Sequence, residues 1–127
     1  MSTANKIKPT GSELEILQIL WDRESASVRD VHEELSKTKT SGYTTTLKLM
    51  QIMFEKGIVT RDDSSKIHIY QPAVSRKKTQ KQFLDKMING LFGGSSAALV
   101  MQALGNQQAS QSELDEIQKY LDDLKTK

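Results

Sequence analysis

The sequence predicts a mainly α-helical protein with one small β-hairpin. We expect a winged helix-turn-helix domain over residues 1–74 and a three-helix dimerisation region over residues 75–127. Two observations support this prediction. Three segments with helical periodicity precede two short segments rich in β-branched and aromatic residues, and helical periodicity then returns. The order of the elements carries the prediction, because each element is common by itself.

The first two predicted helices each begin with a capping box, in which a hydroxyl residue and an acidic residue lie three positions apart. These pairs are Thr10 with Glu13 and Ser27 with Asp30. Behind each cap, apolar residues recur three or four positions apart, which predicts one buried stripe per helix. The stripes comprise Leu14, Ile16, Leu17, Leu20 and Trp21 in the first helix and Val28, Val31 and Leu35 in the second.

The third predicted helix lies within SGYTTTLKLMQIMFEKG, residues 41–57, and Gly57 can end it in a left-handed conformation. It begins with three threonines, although threonine is a mediocre helix former. These threonines either cap the helix or present their hydroxyl and methyl groups to another molecule. A helical wheel separates an apolar side from a polar face. The apolar side comprises Tyr43, Thr46, Leu47, Met50, Met53 and Phe54, and the polar face comprises Thr44, Thr45, Lys48, Gln51 and Glu55, with Ile52 at its edge.

Two segments after Gly57, GIVTRDD and KIHIYQP, change from helical to strand periodicity. The residues DDSS between them favour a turn, and Pro72 closes the second strand because proline cannot donate a ladder hydrogen bond. We therefore predict a β-hairpin, which would be the wing of the winged helix.

The C-terminal region begins with the basic stretch RKKTQK and contains three further predicted helices. The sequence GGSS separates the first two, and a capping box at Ser110 and Glu113 begins the last. Their apolar residues lie on one side only, so we expect them to pack on a second copy in a twofold dimer. The residues predicted to form the dimer are Phe83, Leu84, Met87, Ile88, Leu91, Leu114, Ile117, Leu121 and Leu124.

Composition excludes several classes of protein. The chain has no cysteine, so disulfides, thiolate catalysis and cysteine-based metal sites are excluded. No apolar run is long enough to span a membrane, and the first ten residues, MSTANKIKPT, lack the apolar centre of a signal peptide. We therefore expect a cytoplasmic protein with no membrane insertion.

The sequence also argues against an enzyme. His32 and His68 lie on different predicted elements, and the neighbours of His32 in VHEEL point away from it. The chain contains no glycine-rich phosphate loop, nucleophile elbow or paired-histidine motif. We expect no catalytic residues, metal or cofactor.

The polar face of the third helix predicts DNA binding, because the second helix of a helix-turn-helix enters the major groove by its N-terminal end. Threonine there can bond a phosphate or base edge and touch a thymine methyl group, and glutamine can pair with adenine. Residues 1–81 are also basic, with 14 Lys and Arg against 10 Asp and Glu, whereas residues 82–127 have 4 against 6. The predicted DNA contacts are Lys37, Lys39, Ser41, Tyr43, Thr44, Thr45, Lys48, Gln51, Arg61 and Lys66.

From Thr10 to about Leu124 the chain resembles the penicillinase and methicillin-resistance repressor family of the BlaI/MecI type. The resemblance rests on the order and spacing of SELEILQILWD, SVRDVHEEL, YTTTLKLMQIMFEKGIVTRDD, IHIYQPAVSR, FLDKMINGLFGG and SQSELDEIQKYLDDL. It implies a homodimeric winged-helix repressor that binds a palindromic double-stranded DNA operator. Carried over by position, Thr44, Thr45 and Lys48 would contact the operator.

The same resemblance implies induction by proteolysis of the C-terminal region, with a membrane metalloprotease receptor or another protease as partner. The cut would fall near Gln102 and Ala103, but LVMQALG replaces the Asn-Phe pair of the best-studied members. Gln51 and Ile52 also occupy positions that are often basic in relatives, so the base preference can differ. The cysteine motif of the copper-responsive relatives is missing, which argues against copper sensing.

Two alternatives to a DNA-binding repressor stay open from the sequence. Winged helices also serve as protein-docking modules without a DNA function, and Ile52 is the residue on the polar face that hints at this. The C-terminal helices could instead bind a small ligand between them, although they offer an apolar lining without convergent polar groups.

Overall fold

The computed structural model describes residues 8–106 and 109–126. Its elements follow the predicted order, with two antiparallel strands among six helices in the described ranges. They are α1 (Gly11–Arg23), α2 (Val28–Leu35), α3 (Tyr43–Lys56), β1 (Val59–Asp62), β2 (Ile69–Pro72), α4 (Arg76–Leu91), α5 (Ser96–Asn106) and α6 (Gln111–Lys125). The chain divides into two compact units, Met1–Gln80 and Lys81–Lys127.

The three predicted capping boxes are all formed. In each, the hydroxyl of the N-cap residue accepts a hydrogen bond from the acidic residue's amide, and the carboxylate accepts one from the N-cap amide. The pairs begin α1, α2 and α6 and are Thr10 with Glu13, Ser27 with Asp30, and Ser110 with Glu113. The starts of these three helices were therefore predictable from residues three positions apart.

Glu13 has a second partner far along the chain. Both of its carboxylate oxygens lie 3.0 Å from Lys56 Nζ, and the Glu13 residue is 1% exposed. A buried carboxylate is stable only when it is paired and hydrogen-bonded, and Glu13 has both kinds of partner. This ion pair attaches the start of α1 to the last residue of α3.

Helix α3 is bounded by two glycines. Its N-cap is Gly42, and no side chain caps it, so the first interpretation of the threonines, as capping residues, is wrong. Its C-cap is Gly57, which has a positive φ of 80° in the left-handed region as predicted. The amide of Gly57 donates to the carbonyl oxygen of Phe54 at 3.0 Å.

The core of the first unit is a single apolar cluster contributed by the first three helices and the hairpin. The predicted stripes of α1 and α2 supply most of it, and α3 contributes two methionines that are fully buried. Its buried members are Ile16, Leu17, Leu20, Ala26, Val28, Val31, Leu35, Met50, Met53, Ile58, Val59 and Tyr70.

The predicted hairpin is present, with strands shorter than the two sequence segments. Val59 lies opposite Pro72, and Asp62 lies opposite Ile69, so residues 63–68 form the connection. Within it, the Asp62 carboxylate accepts the Ser64 amide at 2.9 Å, and the Ser65 hydroxyl donates to the Ile67 carbonyl at 2.9 Å. These local bonds turn the chain before Ile67 can pair, because such side chains compete with ladder bonds. We call β1, β2 and this connection the wing.

A second pairing attaches the wing to the segment between α1 and α2. Ala26 donates to the Tyr70 carbonyl at 3.0 Å, and the Tyr70 amide donates back to Ala26 at 2.8 Å. The sequence did not predict this bridge, because its two residues are far apart in the chain and one of them lies in no strand segment.

The first turn of α4 belongs to the first unit. The Trp21 indole Nε1 donates to the Val74 carbonyl oxygen at 3.0 Å, and Arg76 lies 2.5 Å from the Asp22 carboxylate with its guanidinium 5.5 Å from the Trp21 ring centre. Thr79 is buried as well. The division between units therefore follows Gln80, later than the predicted domain boundary after residue 74. Where the independently folding domains meet stays a prediction.

In the second unit, the predicted break at GGSS separates α4 from α5, and Gly93 and Gly94 adopt positive φ values of 58° and 87° there. No side chain of α5 or α6 is buried. The exposed apolar residues of the unit are Leu84, Met87, Leu91, Val100, Met101, Leu114, Tyr120, Leu121 and Leu124.

Within the described residues, no single helix has both the length and the apolar composition to cross a bilayer; α4 and α5 meet those limits only when they are counted together, as a pair bent by 102°.

Candidate nucleic-acid interface

The N-terminal half of α3 presents the predicted polar face. Thr44, Thr45, Lys48 and Gln51 are exposed, whereas Thr46 is 1% exposed and faces the core. The adjacent threonines are therefore not equivalent, as the helical wheel predicted. Since none of them caps the helix, the exposed hydroxyls of Thr44 and Thr45 can serve an external partner.

His32 on α2 holds the first turn of α3. Its Nδ1 lies 3.3 Å from the Thr46 hydroxyl, and its Nε2 lies 3.4 Å from the Ser36 hydroxyl. The Tyr43 ring meets the imidazole edge to face, with ring centres 5.6 Å apart. The sequence indicated these contacts of His32 only weakly, because a single histidine at a half-buried helix position can meet many different partners. No group of His, Asp and Glu in the described ranges could hold a metal ion.

Two aromatic residues depart from the helical wheel. Tyr43 and Phe54 were assigned to the apolar side of α3, but they are 47% and 36% exposed. They lie at opposite ends of the helix, where the core no longer covers that side. Tyr43, also predicted as a DNA contact, therefore lies beside the polar face.

The basic turn before α3 is partly neutralised. Lys37 Nζ lies 2.8 Å from Glu34, and Lys39 Nζ lies 3.1 Å from Glu15. The hydrogen bond from Lys37, followed by that from Arg23, lowers the pKa of the Glu34 carboxyl. Ser41, the last predicted contact on this turn, is half-exposed.

Arg61 on the wing is held by three groups. Its Nε lies 2.7 Å from Asp63 Oδ1, its Nη2 lies 3.2 Å from Asp63 Oδ2, and its guanidinium carbon lies 4.1 Å from the centre of the Phe54 ring. Hydrogen bonds to Asp63 and then to Tyr70 raise the pKa of Arg61 above its already high value. His68 Nδ1 is 3.6 Å from the same Asp63 carboxylate.

Lys48 and Lys66 differ from the other predicted cations. Both are exposed, and neither forms an ion pair with any residue that the structure describes. They are the basic side chains of the predicted set that can meet a phosphate without first leaving a carboxylate.

A cleft of about 440 Å³ lies between the start of α2, the wing and the side of α3 that carries Tyr43, Leu47 and Gln51. Its lining includes Arg29, Arg61, Lys66 and His68, and no carboxylate of the described chain lines it. Arg29 was not among the predicted contacts. Its exposed position in the first turn of α2, one residue after a capped helix start, was the available signal.

The residues predicted for dimerisation and cleavage all lie in the second unit. Of the dimerisation set, Phe83, Ile88 and Ile117 are half-buried, and the remainder are exposed. Gln102 and Ala103 are exposed within helix α5.

The family model described as "Penicillinase repressor" matches residues 9–123, which is most of the chain. The chain belongs to the penicillinase repressor family. Proteins of this family are transcriptional repressors rather than enzymes. The family match agrees with the resemblance read from the sequence.

Individual members are distant relatives over nearly their full length. The penicillinase repressor of Staphylococcus aureus is 28% identical over 129 residues, covering 98% of this chain and 99% of that protein. The methicillin resistance regulatory protein MecI of Staphylococcus aureus strain N315 is 28% identical and covers 88% and 91%. A solution structure of monomeric BlaI from Bacillus licheniformis with the blaP half-operator is 24% identical and covers 56% of this chain and 87% of that one, with a TM-score of 0.49.

Proposed function

We propose that this chain is a dimeric repressor that binds a palindromic DNA operator through α3 and the wing. The observation that carries the proposal is the exposed polar face at the start of α3, beside the cleft whose basic residues come from α2 and the wing. Short threonine side chains let the helix backbone approach a groove closely, and Lys48 and Gln51 are long enough to reach base edges. Binding to chromosomal DNA implies that the protein acts in the cytoplasm.

Within this proposal the predicted contacts have different roles. Thr44, Thr45 and Gln51 would read base edges, whereas Lys66 would contact a phosphate directly. Arg61 would contact one with donors that now bond Asp63. Lys48 lies between these groups and can serve either role. Lys37 and Lys39 contribute less, because each must first leave a carboxylate partner.

Titration of a fluorescent duplex from the region upstream of the gene for this protein tests DNA binding. We expect Thr45→Ala to weaken operator binding by about 1 kcal/mol or more, with little effect on random DNA of equal length. A Lys48→Ala variant that only loses a phosphate contact should lower the salt slope by about one on both duplexes. Unchanged operator affinity in both variants at fixed salt would contradict the assignment.

The second unit supports the dimer. Its helices expose a series of apolar residues, including Leu114, Leu121 and Leu124 at the predicted heptad positions of α6. A twofold dimer would place the two copies of α3 on half-sites about 10 base pairs apart or a multiple of that spacing. Sedimentation equilibrium of the full chain tests this, and a stable monomer at micromolar concentration would contradict it.

We further propose that proteolysis of the C-terminal region relieves repression. Gln102 and Ala103 are exposed, but both lie within α5, so a protease would need that helix to open locally. A membrane metalloprotease receptor or another protease would be the partner. Mass spectrometry of the chain recovered from induced cells would locate the cut, and an intact chain under full induction would argue for a different signal.

The docking-module alternative has less support. Ile52, the apolar residue at the edge of the polar face, is half-buried rather than part of an exposed apolar patch. Operator binding that falls steeply with salt would favour the repressor, whereas salt-insensitive or absent DNA binding would favour docking.

A further inference from the structure

Arg61 is the most constrained cation of the candidate interface. Asp63 accepts hydrogen bonds from both Nε and Nη2, and the Phe54 ring covers one face of the guanidinium. The Nε and Nη2 edge is one of the forks with which arginine binds a phosphate in two parallel hydrogen bonds. Asp63 therefore occupies donors that a DNA phosphate would use.

Arg61 borders more than one cleft, and the one that it shares with Phe54 also contains Glu55. The cleft of about 440 Å³, in contrast, has basic side chains and no carboxylate of the described chain in its lining. Asp63 is half-exposed and contacts Arg61 from outside that lining, so it adds a negative charge next to a cleft whose charged side chains are basic. His68 Nδ1 lies 3.6 Å from the same carboxylate.

We propose that Asp63 is an internal competitor of the DNA phosphate for Arg61 and so limits the wing's share of DNA affinity. This inference rests on the proposed DNA-binding function. In wild type, a phosphate that uses the Nε and Nη2 edge of Arg61 must displace Asp63, and one that uses the remaining Nη donors meets a guanidinium whose charge Asp63 already offsets. Because the phosphates are the same in every DNA sequence, Asp63 affects the overall DNA affinity and its salt dependence but not the base preference.

The wing supplies a matched control. Asp62 is the neighbouring residue with the same charge, but its carboxylate accepts the Ser64 amide and, within the described ranges, forms no ion pair with Arg61. Asp62→Asn and Asp63→Asn therefore remove equal charge from adjacent positions. Only the second substitution releases the Arg61 fork.

The experiment uses the full chain, with operator and random duplexes of equal length over a salt series. We expect Asp63→Asn to bind both duplexes more tightly at low salt, by about two- to fivefold beyond Asp62→Asn, since exposed ion pairs are weak. The plot of log affinity against log salt should steepen by up to about one. In an Arg61→Ala background, the two asparagine variants should gain equally.

Three outcomes would overturn the inference. They are weaker binding by Asp63→Asn, equal gains for Asp62→Asn and Asp63→Asn in the chain that retains Arg61, and a larger gain for Asp63→Asn than for Asp62→Asn that persists in Arg61→Ala. Asp63→Ser is a second variant in case asparagine disturbs the turn, and it should show the same gain. If the wild-type chain binds neither duplex, the proposed function itself fails. If wild type binds and Asp63→Asn is weaker, only this inference fails.

Discussion

Thr45 and Thr46 are neighbours with opposite environments. Thr45 is exposed on the polar face, whereas Thr46 is buried and its hydroxyl lies 3.3 Å from His32 Nδ1. The same residue type therefore serves two purposes in consecutive positions. One hydroxyl is available to a partner, and the other joins α3 to α2.

Replacing each threonine by valine separates these purposes. Thr46→Val should lower the free energy of unfolding by about 1 kcal/mol, because His32 loses a hydrogen-bond partner in a half-buried place. Thr45→Val should change stability by less than about 0.5 kcal/mol and instead weaken operator binding. Urea unfolding of both variants tests the first effect. Equal stability losses would mean that the Thr46 hydroxyl contributes nothing specific.

At the residue scale, the sequence predicted which side of α3 each threonine faces, because that depends only on helical geometry. It did not predict the partners. The His32 contact with Thr46, the Glu13 ion pair with Lys56 and the stacking of Arg61 on Phe54 all join residues from different elements. A sequence pattern gives the face of an element but not the opposing face that it meets.

Helix α3 depends on a glycine to end where it does. Gly57 has a φ of 80°, and the chain then turns so that Ile58 and Val59 enter the core. A Cβ at this position would meet no heavy atom within 4 Å, so any cost of substitution comes from the backbone conformation. Gly11 has the same open surroundings without a positive φ.

These two glycines predict opposite effects of alanine. Gly57→Ala should lower the free energy of unfolding by about 1 kcal/mol, because a side chain disfavours the left-handed region. Gly11→Ala, in the first turn of α1, should raise it by about 0.5 kcal/mol by restricting the unfolded chain. Thermal unfolding of both variants checks the signs. A neutral Gly57→Ala would show that the helix end can relax.

At the element scale, the starts of α1, α2 and α6 and the end of α3 were predictable because caps involve residues only three or four positions apart. The start of α3 was not, since its N-cap is Gly42 and no side chain caps it. The wing was predicted in kind but not in length, since side chains of Asp62 and Ser65 form the turn before the strands pair. The bridge between Ala26 and Tyr70 was missed entirely. It depends on how α1, α2 and the wing meet in three dimensions.

The whole molecule combines a cored unit with one whose helices are largely uncovered. The first unit buries a continuous apolar cluster, whereas α5 and α6 bury no side chain. The family match spans both units, but the partner of the second unit remains our proposal. The sequence predicted the uncovered stripe because heptad spacing is local, and it could not show what covers it.

A charge placed in the exposed apolar stripe of α6 should separate the proposed dimerisation from the proposed DNA binding. Leu121→Asp should give a monomer in sedimentation, because a carboxylate in an apolar interface would lack a partner. Binding to a full operator should then fall by about a hundredfold or more, while half-site binding stays near wild type. Ser112→Asp adds the same charge in the first turn of α6 and should remain dimeric. A dimeric Leu121→Asp would place the interface elsewhere.

Trp21, whose indole donates a hydrogen bond to the Val74 carbonyl, also provides a fluorescent reporter of the first unit. Trp21 is the only tryptophan in the chain, and it belongs to the first unit together with Arg76, whose guanidinium lies beside its ring. Its emission therefore follows the unfolding of the first unit alone, whereas far-ultraviolet circular dichroism follows helices in both. Comparing the two signals in one titration would show, without any label, whether the two units unfold together or in succession.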